Sequence, residues 1–312
     1  MTAPPIHELG HGRFMLDLGF RGSPGLIASF LLPGDDGWTL LETGPTTCKA
    51  QLLSGLTAAG IDPSEVARVA VTHIHLDHAG GVGALLAELP RATVYAHRVG
   101  VPHLIDPTRL EASARLAWGP QMDTLFGGVA PVPADRIRPL TGGERWPLQS
   151  GDLEVLATPG HARHHLAFVD RALAAVFTGD AAGVRLGTSW RTRPAVPPPD
   201  LDLDLLYGSL DRMKNAQVRQ VLRSHFGPDP DGPRSLSEYR AIVEEWRAVA
   251  WAAFQEAPDP GHIAERLRMH EIGQERAAGH PHHPADTGGP FSDYELAAQG
   301  FLRYFQTGGS GR

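Results

Sequence analysis

Three histidines and one aspartate fall within six positions of the stretch VTHIHLDHAGG, residues 71–81. His73 and His75 alternate, so at the end of an extended strand they point to the same side. Asp77 and His78 follow on the turn. Imidazole and carboxylate together suit zinc, iron or manganese, whereas calcium prefers a shell of oxygens. Packing gives no reason to collect four such side chains where a buried strand ends, so the cluster predicts a metal site. Three more donors also close apolar runs: His161 ends LEVLATPGH, Asp180 ends LAAVFTGD and His225 ends RQVLRSH. The seven residues exceed what one metal can use and fit two metals sharing a carboxylate. A pair of ions about 3.5–4 Å apart can polarise a substrate carbonyl or phosphoryl oxygen.

The elements that must carry these residues are short apolar runs punctuated by turns. LIASFLL and WTLLETG flank PGDD and predict a hairpin. CKAQLLSGLTAAG reads as a helix ended by Gly60, RVAVT as a buried strand leading into the histidines, GVGALLAEL as a helix stopped by Pro90, and ATVYAH as another strand. Residues 100–130 read as helix and loop. LEVLATPGH, HLAFVD and LAAVFTGD follow as three strands, SLDRMKNA as a helix and RQVLRSH as a strand. Strands and helices mix without strict alternation, which favours packed sheets covered by helices. The texture changes after Pro233. SLSEYRAIVEEWRAVAWAAFQEA opens with the capping-box pair Ser235 and Glu238, and SDYELAAQGFLRYF with Ser292 and Glu295. The expected division is a catalytic domain over 1–233 and a helical C-terminal extension over 234–312, with TGGSGR as a flexible tail. Helices 235–257 and 292–306 have wide apolar faces, so they should pack on the sheets or on a second copy in a homodimer, through Trp246, Phe254, Phe301 and Tyr304. GHPHHPADTGG between them reads as a solvated loop.

The chain has 312 residues, 42% hydrophobic and 20% charged, within the range of ordinary globular proteins. Its net charge of −7 argues against a protein that tracks nucleic-acid phosphates. The single cysteine, Cys48, makes no internal disulfide and reads as structural. The N-terminus lacks the apolar core of a signal peptide, and no run reaches the roughly 18 apolar residues of a membrane span, so a cytoplasmic enzyme is expected.

HIHLDH, TPGHARHH, FTGD and SHFGP together resemble the metallo-β-lactamase-fold hydrolase superfamily, over roughly residues 20–230. The resemblance implies an α/β fold, the αβ/βα metallo-β-lactamase sandwich, with the metals at one edge between the sheets. By position, His73, His75 and His161 hold the first metal, Asp77, His78 and His225 hold the second, and Asp180 bridges. The implied cofactor is two divalent transition metal ions, zinc first, with iron or manganese as alternatives. LLETGPTT resembles an early turn that usually reads Asp-Thr-Gly, with Glu42 in place of the aspartate.

Within the family the chain resembles the glyoxalase II and acyl-homoserine lactonase neighbourhood. Asp180 stands where many secreted β-lactamases carry cysteine, and FGP after His225 departs from the Glu-Tyr-Thr of glyoxalase II. The expected function is a dinuclear metal-dependent hydrolase cleaving a lactone, thioester or other ester with a metal-bridging hydroxide. Asp77 and Asp180 are the expected catalytic carboxylates, with Asp77 orienting the nucleophile and passing a proton to the leaving group. The expected partner is a small-molecule ester, lactone or thioester, with neither nucleic acid nor membrane. Arg163, His164 and His165 follow His161, and Arg185, Trp190 and Arg191 lie in the segment after Asp180; all six are candidate substrate contacts. Two alternatives stand. One is a mononuclear iron persulfide dioxygenase using His73, His161 and Asp180. The other is a non-catalytic metal-binding scaffold.

Overall fold

The structure, a computed structural model, describes residues 5–186, 189–280, 291 and 293–311. Two sheets stack face to face. The first runs in the order of the chain: β1 (Ile6–Gly10), β2 (Arg13–Asp17), β3 (Ala28–Gly34), β4 (Gly37–Leu41), β5 (Val66–Ala70), β6 (Thr93–His97) and β7 (Ile137–Leu140). The second holds β8 (Arg145–Pro147), β9 (Asp152–Ala157), β10 (Leu166–Asp170), β11 (Ala175–Phe177), β12 (Gln220–Arg223) and β13 (Gly227–Asp229), again in consecutive order. The PGDD hairpin forms as expected, with Gly34 opposite Gly37.

Period-two side-chain placement explains the layering. In β3, Phe30 and Leu32 face the second sheet, where Phe30 meets Phe177 edge-on at 4.8 Å between ring centroids, while Leu31 faces the opposite way. Those outward residues of the first sheet meet α1 (Lys49–Ala58) and the short helices α2 (Leu76–Ala79), α3 (Val82–Leu85), α4 (Val101–Ile105), α5 (Thr108–Trp118) and α6 (Met122–Leu125). On the other side, Val169, Val176 and Val221 of the second sheet meet α7 (Leu203–Asn215), α8 (Gly232–Glu256), α9 (Pro260–Ala277) and α10 (Tyr294–Gln306). The result is the expected αβ/βα sandwich. Covering both faces of both sheets is why β3 and β10 are buried at every position.

The C-terminal helices therefore pack on the sandwich. Trp246 and Phe301 are fully buried, and Phe254 and Tyr304 are partly so. Several details differ from the sequence reading. α8 begins three residues before Ser235, and its N-cap is Asp231, whose carboxylate accepts from the Arg234 N–H. Ser235 is buried instead and accepts from the Arg223 guanidinium at 2.6 Å. Asp293 caps α10; Ser292 lies outside the described residues, as do positions 281–290 of the histidine-containing loop. α9 has no counterpart in the sequence reading, because its buried face carries Glu271 and Glu275 among Ile263, Leu267 and Ile272, which breaks the apolar stripe. The GVGALLAEL helix forms only over α3. The tail folds back: Gly309 N–H donates to the Tyr304 carbonyl at 2.9 Å, and a Cβ at Gly311 would overlap the Trp251 ring. Among the described residues, no helix is long and apolar enough to cross a membrane. Cys48 is buried, and burial pushes its thiol up to about 12, which leaves it inert.

Trp246 fills the space between α8, α9 and the second sheet and donates its indole N–H to Glu271 at 3.2 Å. Trp246→Ala should cost about 3–5 kcal/mol through the cavity and the lost donor. A urea melt followed by circular dichroism measures it; a loss under about 1 kcal/mol would mean the helices do not share the sandwich core.

Candidate metal centre

The four parallel-running strands β4, β5, β11 and β12 deliver their C-terminal ends to one edge of the sandwich. Glu42 leaves β4, the histidine cluster leaves β5, Asp180 leaves β11 and His225 leaves β12. β9 runs alongside β11 in the same sense through antiparallel β10, so His161 reaches the same edge. Strand direction thus converts five distant sequence segments into one site.

The seven donors form two groups, His73, His75, His161 and Asp180 in one and Asp77, His78 and His225 in the other, each with donor atoms within 4.8 Å of one another. His161 Nε2 lies 3.2 Å from His73 Nε2 and 3.0 Å from His75 Nδ1. In the second group, His225 Nε2 lies 3.2 Å from His78 Nε2 and 3.2 Å from Asp77 Oδ2. Asp180 spans both groups. Its Oδ2 is 3.5 Å from His161 Nε2, and its Oδ1 is 3.3 Å from His78 Nε2 and 3.7 Å from His225 Nε2.

The outer nitrogens fix which inner nitrogens are free. His161 Nδ1 donates to the Ala195 carbonyl at 2.8 Å, and His225 Nδ1 donates to the Leu26 carbonyl at 2.7 Å. A carbonyl only accepts, so Nδ1 carries a proton in each ring and Nε2 is the nitrogen left to face the other donors. His78 Nδ1 meets Glu42 Oε2 at 2.9 Å, and the other Glu42 oxygen accepts from the Thr72 N–H at 2.9 Å. Glu42 is buried and holds φ at +65°, an uncommon backbone state for a residue other than glycine, in the service of this contact. The substitution of Glu for Asp in the early turn therefore keeps a carboxylate against His78. Sequence spacing alone could not place a side chain 36 residues away on that nitrogen.

These atoms fit transition metals. Lone pairs on nitrogen and carboxylate oxygens crowd together with few hydrogens between them, and Asp180 Oδ1 is buried with no hydrogen-bond donor. A cation is the missing partner for such a donor set. Desolvation keeps His73 and His75 well below the usual histidine range and lowers His161, so these rings are neutral and ready to ligate. Burial opposes charge on His78 too, but the carboxylates of Asp180, Asp77 and Glu42 outweigh it and hold its pKa well above normal. The same field that favours a proton there favours a metal ion.

The other six candidate residues have the following partners in the structure. His165 is fully buried: its Nδ1 meets Thr158 Oγ1 at 2.8 Å and its Nε2 accepts from the Asp180 backbone N–H at 3.2 Å, so it positions Asp180 rather than substrate. Gly179 allows that approach, because a Cβ there would come within 2.4 Å of Thr72 Oγ1. His164 is buried beside His75, with ring centroids 5.9 Å apart, and desolvation lowers it to about 4. Arg163 points to solvent and pairs with Asp200 at 3.0 Å. Arg185 pairs with Asp229 at 3.5 Å. Trp190 Nε1 donates to Glu271, and Arg191 grips Glu271 and Glu245 at 2.6 and 2.7 Å. Trp190 and Arg191 thus tie the segment after Asp180 to α8 and α9. The part of that segment that does face the centre is Pro194 and Val196–Pro199, which line a cleft of about 850 Å³, its open mouth included, with His75, Asp77, His161 and Asp180 on its floor. Sequence reasoning also missed Phe291, whose ring stacks on His225 at 4.2 Å between centroids.

A sequence profile described as the metallo-beta-lactamase superfamily matches residues 22–225. The metallo-beta-lactamase fold-containing protein ST1585 of Sulfurisphaera tokodaii is 29% identical over 166 residues, covering 51% of this chain and 60% of its own. A crystal structure of ST1585 superposes with a TM-score of 0.60 at 23% identity, over 70% of this chain and 80% of that one, which shows likeness of fold. An N-acyl homoserine lactonase AttM of Rhizobium johnstonii is 27% identical over 222 residues, covering 65% of this chain and 66% of its own. A hydroxyacylglutathione hydrolase of Halorhodospira halophila is 33% identical over 143 residues, covering 41% and 43%. The chain thus matches less than two thirds of the length of each of these three relatives.

Glu42 provides a test of the second group. Glu42→Gln keeps the shape but removes the charge that orients His78, and should weaken metal binding there about 10–100-fold. Competition with a chelator under metal analysis reads this directly. Unchanged affinity at both groups would show that the Glu42–His78 contact does not act on the centre.

Proposed function

Because the chain belongs to the metallo-β-lactamase superfamily, we propose that it is a dinuclear metal-dependent hydrolase that cleaves the carbonyl of an ester, lactone or thioester. The observation that carries this reading is the complete set of seven donors, split in two groups with Asp180 between them, on the floor of an open cleft. The two ions held by these groups would supply Lewis acidity and a water of lowered pKa.

The chain's own residues supply the rest. His73, His75 and His161 make one half of the centre and Asp77, His78 and His225 the other, with Asp180 turned to both. Asp77 is the donor of the second group that faces the cleft, its side chain 14% exposed while those of His78 and His225 are closed off. Its Oδ2 is turned to His225, so Oδ1 is the atom that accepts a proton from the attacking water and returns it to the leaving alkoxide or thiolate. The apolar walls exclude competing water and strengthen these interactions. Similarity to a lactonase and to a glutathione thioester hydrolase supports the carbonyl-ester class, and the completeness of the second group favours it over a one-iron oxygenase, which needs only His73, His161 and Asp180.

Metal analysis of protein purified without added metal should give close to two transition-metal ions per chain. Asp180→Ala should lose them, and with them turnover by at least about 100-fold, while keeping the fold by circular dichroism. The zinc or manganese form should cleave at least one member of a panel of lactones, thioesters and aryl esters under anaerobic conditions. Activity confined to an iron form that takes up oxygen with glutathione persulfide would replace this reading with the dioxygenase one.

A further inference from the structure

The walls of the cleft carry information that the metal donors do not. Trp118, Phe126 and Phe291 line the cleft, and their rings belong to a run of aromatic contacts that continues behind the wall. Trp118 at the end of α5 meets Phe126 edge-on at 5.3 Å, Phe126 lies against Phe20 at 6.4 Å, Phe20 meets Phe291 at 5.5 Å, and Phe291 stacks on His225 at 4.2 Å. Opposite stand Pro198 and its neighbours with Leu296 of α10. Among the described residues, the lining includes no lysine or arginine. The nearby guanidiniums of Arg191 and Arg163 are held by Glu245, Glu271 and Asp200. Apart from the metal donors, the one ionisable group in the lining among the described residues is acidic: Asp293, which caps α10 by accepting from the Leu296 N–H. Burial raises this carboxyl above its usual range.

We propose that this cleft is built for an uncharged apolar acyl group, so that the substrate is a neutral ester, lactone or thioester with an aliphatic or aryl acyl part and not a glutathione conjugate. The inference rests on the hydrolase reading for the reaction, but on the walls alone for the specificity. A glutathione thioester brings carboxylates into a cleft whose described walls, above the metal donors, carry no lysine or arginine to receive them and which places Asp293 in their way. An unpaired carboxylate pressed against Trp118, Phe291 and the proline wall loses its hydration without compensation. An alkyl or aryl chain instead releases ordered water from both surfaces. Phe291, Asp293 and Leu296 lie outside the segment that matches the family profile, so the C-terminal extension contributes one part of this lining, while Trp118, Phe126 and the prolines lie within that segment.

The test uses the zinc-loaded full chain at pH 8 with 4-nitrophenyl esters from acetate to octanoate, mono-4-nitrophenyl adipate and S-lactoylglutathione. The value of kcat/KM should rise about fourfold per methylene, the equivalent of about 0.8 kcal/mol per buried CH2. The adipate monoester should be at least about 100-fold poorer than the hexanoate, which matches it in length. Trp118→Ala should flatten the chain-length series, lowering the octanoate-to-acetate ratio about tenfold. Asp293→Asn, which still caps the helix, should narrow the gap between adipate and hexanoate. Separately, calorimetry on the metal-free protein should show octanamide, which is not cleaved, binding more tightly than butanamide. Amide binding with this chain-length dependence but no cleavage of any ester would leave the cleft assignment standing and remove the hydrolase reading. Ester cleavage that is indifferent to chain length, or fastest on S-lactoylglutathione, would overturn the specificity proposed here.

Discussion

The carboxylate of Asp180 is the pivot of this molecule. One oxygen faces His161 and the other faces His78 and His225, and the whole group is buried with one of those oxygens lacking any donor. A buried anion in this position is stable only next to positive charge. The rest of the architecture can be read as the means of bringing such charge to it from several strands and holding it still. Asp180 is itself fixed from behind by His165, whose Nε2 receives its backbone N–H and whose other nitrogen is satisfied by Thr158.

The imidazoles are oriented by the same logic. Each of His161 and His225 spends its Nδ1 proton on a backbone carbonyl, and His78 turns its own to Glu42. Their Nε2 atoms are thereby turned to the interior before any ion arrives. Such preorganisation lets a site bind metal without reordering long side chains, and it raises the basicity of the ring that donates to a carboxylate. Glu42 links this shell to the β5 exit as well, through the Thr72 N–H, so the backbone that carries His73 and the side chain that steers His78 are braced by one group.

The C-terminal helices act on the site from outside it. Arg191, with Trp190, pins the segment after Asp180 to Glu245 of α8 and Glu271 of α9. That segment supplies the carbonyl of Ala195 to His161 and the proline wall of the cleft. Phe291 closes the opposite side against His225. Burying a guanidinium between two carboxylates is costly in desolvation, and its partners must all be present for it to be tolerated. The buried Glu271 on the inner face of α9 is one consequence.

The sequence alone determined the seven donors, the hairpin, most of the strands and the layered α/β class, because each depends on local spacing: donors at strand ends, alternation along a strand, glycine and proline at turns. It also marked Trp246 and Phe301 as anchors, since apolar residues recurring at helical spacing need cover. What it left to the tertiary structure is whatever depends on residues far apart in the chain. Glu42 could be recognised as a departure but not as the partner of His78. The partners of Arg191 and Trp190, Glu245 and Glu271, lie 54 to 81 residues away, and α9 was hidden because its buried Glu271 and Glu275 interrupt its apolar face. Ser235 carried the local signature of a helix cap, yet Asp231 took that place and the buried Arg223 claimed the serine. The physical reason is the same throughout: local propensity sets which elements form, while the partner of a buried polar group is chosen by what the fold places within about 3 Å of it.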